Sequence, residues 1–135
     1  MIRVKIMPND TKTVAKIILV NSKNMVLMLK RSSYVEKYAG EWDLPGGHLK
    51  KNENLITGLT REVKEETSLT IRDPKFFKQL ENIHFFKANY DSQEVSLSHE
   101  HVDYKFLDKN ELDLKEKFQK VAFEALTQET HNDQN

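Results

Sequence analysis

Residues 47–69 read GHLKKNENLITGLTREVKEETSL, a glycine-led polar loop running into an amphipathic helix. Asn52 or Asn54 is placed to cap a helix that ends near Ser68, with Leu55, Leu59 and Val63 recurring every four residues as its apolar stripe. Within it, Glu62, Glu65 and Glu66 stand at i, i+3 and i+4, so three carboxylates share one face. The pair Glu62 and Glu66 alone costs about 0.2–0.5 kcal/mol as like charges. Two readings fit this crowding. The first is an ordinary surface helix laced by ion pairs such as Arg61 with Glu65. The second is a face of hard oxygen ligands for Mg²⁺ or Mn²⁺, with no cysteine or closely spaced histidine nearby to suggest zinc.

Around this helix, strand and helix signals alternate. TVAKIILV (13–20) and MVLMLKR (25–31) are rich in β-formers and flank the turn Asn21-Ser22-Lys23-Asn24, which predicts a hairpin. Upstream, Ile2, Val4 and Ile6 alternate before Pro8-Asn9-Asp10 as a short edge strand. Residues 32–47, SSYVEKYAGEWDLPGG, read as a loop with a brief strand at Trp42–Leu44. Pro74 breaks the chain after the helix, and two strand regions follow at 76–90 and 94–108. A second helix starts at Asp108–Asn110, with Leu114, Phe118, Val121, Ala122, Ala125 and Leu126 at helical spacing. One domain over residues 1–126 and a polar, frayed tail over 127–135 are expected. Periodicity alone gives a mixed α/β or α+β domain.

Composition narrows the chemistry. The 135 residues fit one core. Lys and Arg number 21 against 21 Asp and Glu, so no global field draws the chain to nucleic acid or to an anionic membrane, and any phosphate binding must be local. The absence of cysteine excludes disulfides, thiolate zinc sites and a cysteine nucleophile. The apolar runs IILV and MVLML are too short to span a bilayer, and no signal-peptide pattern opens the chain; the expectation is a soluble cytoplasmic protein.

The spacing in 47–69 carries a more specific message. Gly47, five residues, Glu53, seven residues, Arg61-Glu62-Val63, one residue, Glu65-Glu66, two residues and Leu69 resembles the signature of the Nudix (MutT-like) hydrolases. The one departure is Ser68, where the family carries a glycine that leaves the helix in a left-handed conformation. Serine held in that geometry costs about 1 kcal/mol and touches none of the carboxylates. Gly58 inside the helix costs about 1 kcal/mol against alanine, which points to close approach of the helix to the sheet. A looser resemblance spans residues 13–126, including EWDLPGGH and LMLKRSS.

The resemblance implies an α/β fold, a Nudix-type α/β/α sandwich with a central mixed β-sheet. It also implies Mg²⁺-dependent (or Mn²⁺-dependent) hydrolysis of a nucleoside diphosphate linked to a further group. On that basis Glu62, Glu65, Glu66 and the Gly46 carbonyl are the expected metal ligands. Arg61 orients a glutamate, and Glu53 acts through metal-bound water or holds the loop. Glu62 or Glu100 is the general base, with Glu94 a weaker alternative to Glu100. The histidines beside Glu100, His99 and His101, read as polar loop residues. Arg31 at the end of the second strand is either a phosphate contact or a solvated strand end. Tyr34, Tyr38 and Trp42 could stack on a base, with Tyr38 taken as the substrate contact and Trp42 read more readily as packing.

Substrate class follows by elimination. No proline follows Pro74, Phe85 and Phe86 stand in the region where dinucleoside-polyphosphate hydrolases place a tyrosine, and the motifs of the NADH and coenzyme A groups are missing. A (deoxy)nucleoside triphosphate, canonical or damaged, cleaved to monophosphate and pyrophosphate is favoured. The alternatives are a nucleotide sugar, a dinucleoside polyphosphate, the 5′ end of an RNA, or a Nudix module that binds a nucleotide without cleaving it. The partner is a small-molecule nucleotide rather than nucleic acid or membrane. One sequence leaves the oligomeric state open, a homodimer included.

Overall fold

The alternation of side chains along β1 (Val14–Val20) divides the core in two. Val14, Ile18 and Val20 enter one buried cluster, while Ala15, Ile17 and Leu19 enter another on the opposite face of the same strand. A strand buried on both faces needs a cover on each, and the two helices supply it. The computed structural model describes residues 12–33 and 39–132, with the side chains of the last helix given as far as Gln128. The expected strand at Ile2, Val4 and Ile6, and the expected substrate contact Tyr38 with Tyr34, lie outside those residues.

In chain order β1 is followed by β2 (Val26–Arg31), β3 (Trp42–Asp43), β4 (Gly46–His48), α1 (Leu55–Thr67), β5 (Lys75–Leu80), β6 (Ile83–Asn89), β7 (His101–Leu107), a 3-10 turn at Lys109–Glu111 and α2 (Lys117–Asn132). The strands form one mixed sheet in the order β3-β2-β1-β6-β5, with β4 on β1 and β7 on β2. β1 and β6 run parallel in register from Val14↔Ile83 to Val20↔Asn89. On its other edge β1 pairs β4 through Val14↔His48, Ala15↔Gly47 and Lys16↔Gly46, and meets β2 at Val20↔Val26. One face of the sheet packs on α2 through Val121, Ala122, Ala125 and Leu126. The other packs on α1 through Leu59 and Val63. The α/β/α sandwich with a mixed sheet is therefore the observed architecture. Among the described residues no helix is long and apolar enough to cross a membrane.

The hairpin expected at 13–31 forms, with Asn21 Oδ1 accepting from the N–H groups of Lys23 and Met25 to shape its turn. Four elements differ from expectation. The strand region expected at 94–108 pairs only over β7, because Ser96 and Ser98 before it give their N–H groups to the end of α1 instead of to a neighbouring strand. Residues 76–90 are two strands, because Glu81 adopts a left-handed φ of 54° and turns the chain without a glycine to announce it. Gly46–His48, read as loop, is a strand whose backbone completes the edge of β1. The second helix starts at Lys117 instead of Asp108–Asn110. Asp108 caps only a 3-10 turn, which buries Leu112 and leaves Leu114 exposed. That helix also continues through 127–132, into the stretch assigned to the tail, with Thr127 Oγ1 donating back to the Phe123 carbonyl at 3.0 Å.

Candidate active site

Helix α1 is fixed at both ends before its carboxylates matter. Asn54, and not Asn52, is the N-cap; its Oδ1 accepts from Thr57 N–H at 2.8 Å. At the other end Ser68 has φ 69°, the left-handed conformation that glycine would take freely, and its N–H donates to the Lys64 carbonyl. Its hydroxyl also donates to the Ser96 carbonyl at 3.2 Å, a contact glycine lacks. The open carbonyls of Glu66 and Thr67 accept from Ser98 and Ser96 N–H, at 3.0 and 2.9 Å. The segment before β7 is thereby tied to the carboxylate end of α1. Gly58 does mark a close approach, but to the loop: an added Cβ would lie 2.7 Å from Leu49 Cγ and 3.0 Å from Glu53 Oε1.

Arg61 is the hub of the exposed side of the cluster. It donates to Glu53 through Nε at 2.8 Å and Nη2 at 2.9 Å, to Glu62 at 3.1 Å, to Glu65 at 3.3 Å and to the His48 carbonyl at 3.3 Å. Glu53 also accepts the Lys50 N–H at 2.8 Å, so its carboxylate ties the loop to the helix. Hydrogen bonding from Arg61, then from Lys50 N–H, holds the Glu53 carboxyl down at about 2. The Arg61 guanidinium is raised above its ordinary value, chiefly by the Glu53 bond.

The inner side of the cluster is buried. Glu66 is only 6% exposed, although it shares a helix face with Glu62 and Glu65. The helix turns Glu66 toward β4, where Gly46 N–H donates to its Oε1 at 2.9 Å. Burial pushes the Glu66 carboxyl up to about 8, against the pull of Lys16 and of that N–H. Glu62 is also raised by burial, opposed by Arg61. It lies over Gly47, where a Cβ would come within 2.5 Å of its Oε1. Glu65 stays exposed.

The Gly46 carbonyl, an expected metal ligand, accepts from Lys16 Nζ at 3.1 Å. The same ammonium donates to the Leu44 carbonyl and to Asp43 Oδ2, each at 3.1 Å. Sequence reasoning passed over Lys16 and Asp43, although a lysine at an inward position of TVAKIILV was a signal. Arg31 is partly buried at the end of β2, with its Nη1 3.7 Å from Asp43 Oδ2. His101, read as a loop residue, is buried at the start of β7 opposite Arg31, and burial lowers its pKa. Glu100 is exposed beside it; its carbonyl accepts Ser32 N–H at 2.7 Å. Glu94 is exposed farther back in the same connection. Trp42 packs against the α2 side of the core with Lys105 over its ring, and Phe85 and Phe86 are core residues.

The donor set fits a hard divalent cation in chemistry. The side-chain donors are carboxylate oxygens, and burial holds the Glu66 and the half-buried Glu62 carboxyls above their usual range. In this conformation Glu62 and Glu65 turn to Arg61, and among the described residues no three acidic or imidazole side chains already converge as a cage. A cation held by Glu62 and Glu65 would have to share their oxygens with Arg61.

The NUDIX domain family profile matches residues 10–132. An 8-oxo-dGTP diphosphatase of Buchnera aphidicola is 36% identical over 63 residues, covering 44% of this chain and 51% of that protein. The chain thus spans about half the length of this curated relative. Among solved structures, the MutT protein of Methanosarcina mazei Go1 superposes with a TM-score of 0.71 at 30% identity, covering 88% of this chain and 96% of that one. A NUDIX hydrolase from Nitrosomonas europaea gives 0.72 at 21% identity, covering 94% and 76% respectively, a likeness of fold.

Proposed function

The chain belongs to the NUDIX family, and from that premise we propose that it is a pyrophosphohydrolase dependent on Mg²⁺ or Mn²⁺. Water splits the pyrophosphate linkage of a nucleoside diphosphate joined to a further group. The favoured substrate is a (deoxy)nucleoside triphosphate, canonical or oxidised, yielding the monophosphate and pyrophosphate. One observation carries the reading: Glu66, more than nine-tenths buried, is aimed at the β4 backbone beside Glu62, where a carboxylate is costly unless a cation joins it. The similarity to an 8-oxo-dGTP diphosphatase supports the choice of substrate class.

Glu62, Glu65 and Glu66 would hold the ion, and the Gly46 carbonyl would join them only by sharing with Lys16. When bound, the ion supplies neutralisation of the phosphate oxygens and a more acidic water. Arg61 holds Glu62 and Glu65 in line on the helix, and Glu53 holds Arg61. Glu100 takes the proton of the attacking water, because its exposed carboxylate lies outside the Arg61 network that engages Glu62. Arg31, braced by Asp43, contacts the substrate phosphates from the end of β2.

The test is a panel of dGTP, 8-oxo-dGTP, ATP, ADP-ribose and a dinucleoside tetraphosphate, incubated with protein and Mg²⁺ while released products are assayed. Turnover of the triphosphates ahead of the rest is expected. Binding without turnover of any member would overturn the reading.

A further inference from the structure

Lys16 is a charged side chain in a strand whose other six residues are apolar, and it is itself only 7% exposed. Such burial needs compensation, and the ammonium finds it in three oxygens at 3.1 Å: Asp43 Oδ2, the Leu44 carbonyl and the Gly46 carbonyl. A neutral donor could serve the two carbonyls. The charge is balanced less simply, since Asp43 is shared between Lys16 and Arg31. Gly46, whose carbonyl accepts from the ammonium, gives its own N–H to Glu66 Oε1 at 2.9 Å, so one peptide residue links the two charged groups. On its other side the ammonium lies 5.5 Å from the centroid of the Phe118 ring on α2, so the Gly46 peptide is what joins it to the carboxylate cluster. In a chain of zero formal net charge, attraction for an anion has to be built locally.

We propose that Lys16 is a resident cation of the site, which occupies the Gly46 carbonyl and supplies fixed positive charge to the pyrophosphate group of the substrate. This inference rests on the proposed function. It has a consequence that a purely structural pin would not have. A fixed +1 charge repels a divalent ion and attracts a polyphosphate, so removing it must move the two affinities in opposite directions. Loss of a scaffold would weaken both.

The experiment compares wild type with Lys16→Met and, to keep hydrogen-bond donors without charge, Lys16→Gln. Mn²⁺ affinity is measured without substrate by electron paramagnetic resonance, and affinity for inorganic pyrophosphate by calorimetry at saturating Mn²⁺. Mn²⁺ binding about tenfold tighter, with pyrophosphate binding about tenfold weaker, is expected in both variants. Weakening of both, or no change in either, would overturn the proposal. Should neither variant fold, wild-type protein with ¹⁵N-labelled lysine decides. Substoichiometric Mn²⁺ must broaden the Lys16 ammonium resonance, and a sharp signal would refute proximity. Absence of Mn²⁺ binding in wild type would instead remove the proposed function, and this inference with it.

Discussion

Gly46 donates its backbone N–H to the Glu66 carboxylate at 2.9 Å, joining strand β4 to helix α1 at the centre of the site. The contact depends on a close strand approach: Gly46 has φ 126°, and a Cβ there would lie 2.1 Å from the Ala15 carbonyl oxygen. Gly46→Ala must pull β4 from β1 or abandon that φ. A loss of about 3–5 kcal/mol is expected, read by urea denaturation, together with loss of activity. A stable, active variant would show that β4 need not lie against β1.

Glu66→Gln should remove nearly all turnover, because it deletes a buried ligand charge, and should stabilise the metal-free protein at alkaline pH. The Glu66 carboxyl sits at about 8 in the folded chain against 4.5 for the free group. Below 4.5 both states carry the proton and its contribution is complete. Between 4.5 and 8 only the folded state keeps the proton, so stability falls as pH rises, and above 8 the contribution is gone. Melting curves in EDTA from pH 5 to 9 should show this decline in wild type relative to the variant, and Mg²⁺ should reverse it at the alkaline end. Parallel curves for the two proteins would contradict the assignment.

Arg61→Lys is a conservative change in charge alone. Lysine cannot reproduce the two-nitrogen grip on Glu53 while also reaching Glu62, Glu65 and the His48 carbonyl. A fall in kcat of about 10–100-fold is expected, with the melting temperature little altered. Unchanged steady-state kinetics would show that Glu62 and Glu65 need no such alignment.

Ser68→Gly tests the single departure from the family signature. The left-handed φ of 69° favours glycine by about 1 kcal/mol, offset in part by losing the hydroxyl bond to Ser96. A net gain of about 0.5 kcal/mol with kcat unchanged is expected, measured by thermal unfolding and steady-state assays. A change in turnover would mean that the helix end steers the carboxylates.

Periodicity leaves the fold between α/β and α+β, but the chain's own pattern is enough for the helix from Leu55 to its end at Ser68 and for the common face of Glu62, Glu65 and Glu66. These features rest on local periodicity and capping, which are written within one or two turns of chain. Local signals failed where the partner was distant. Strand β4 exists because β1 offers it hydrogen bonds, and the break at Glu81 needs no turn residue because β6 pairs with both β5 and β1. That Glu66 is buried while Glu65 is not follows from which side of the helix faces β4, a matter of packing across the fold. The same packing makes Lys16 and Asp43, 27 positions apart, meet beside Gly46. The physical reason is that burial and charge neutralisation are set by the residues packed around a group, and no spacing along the chain encodes them.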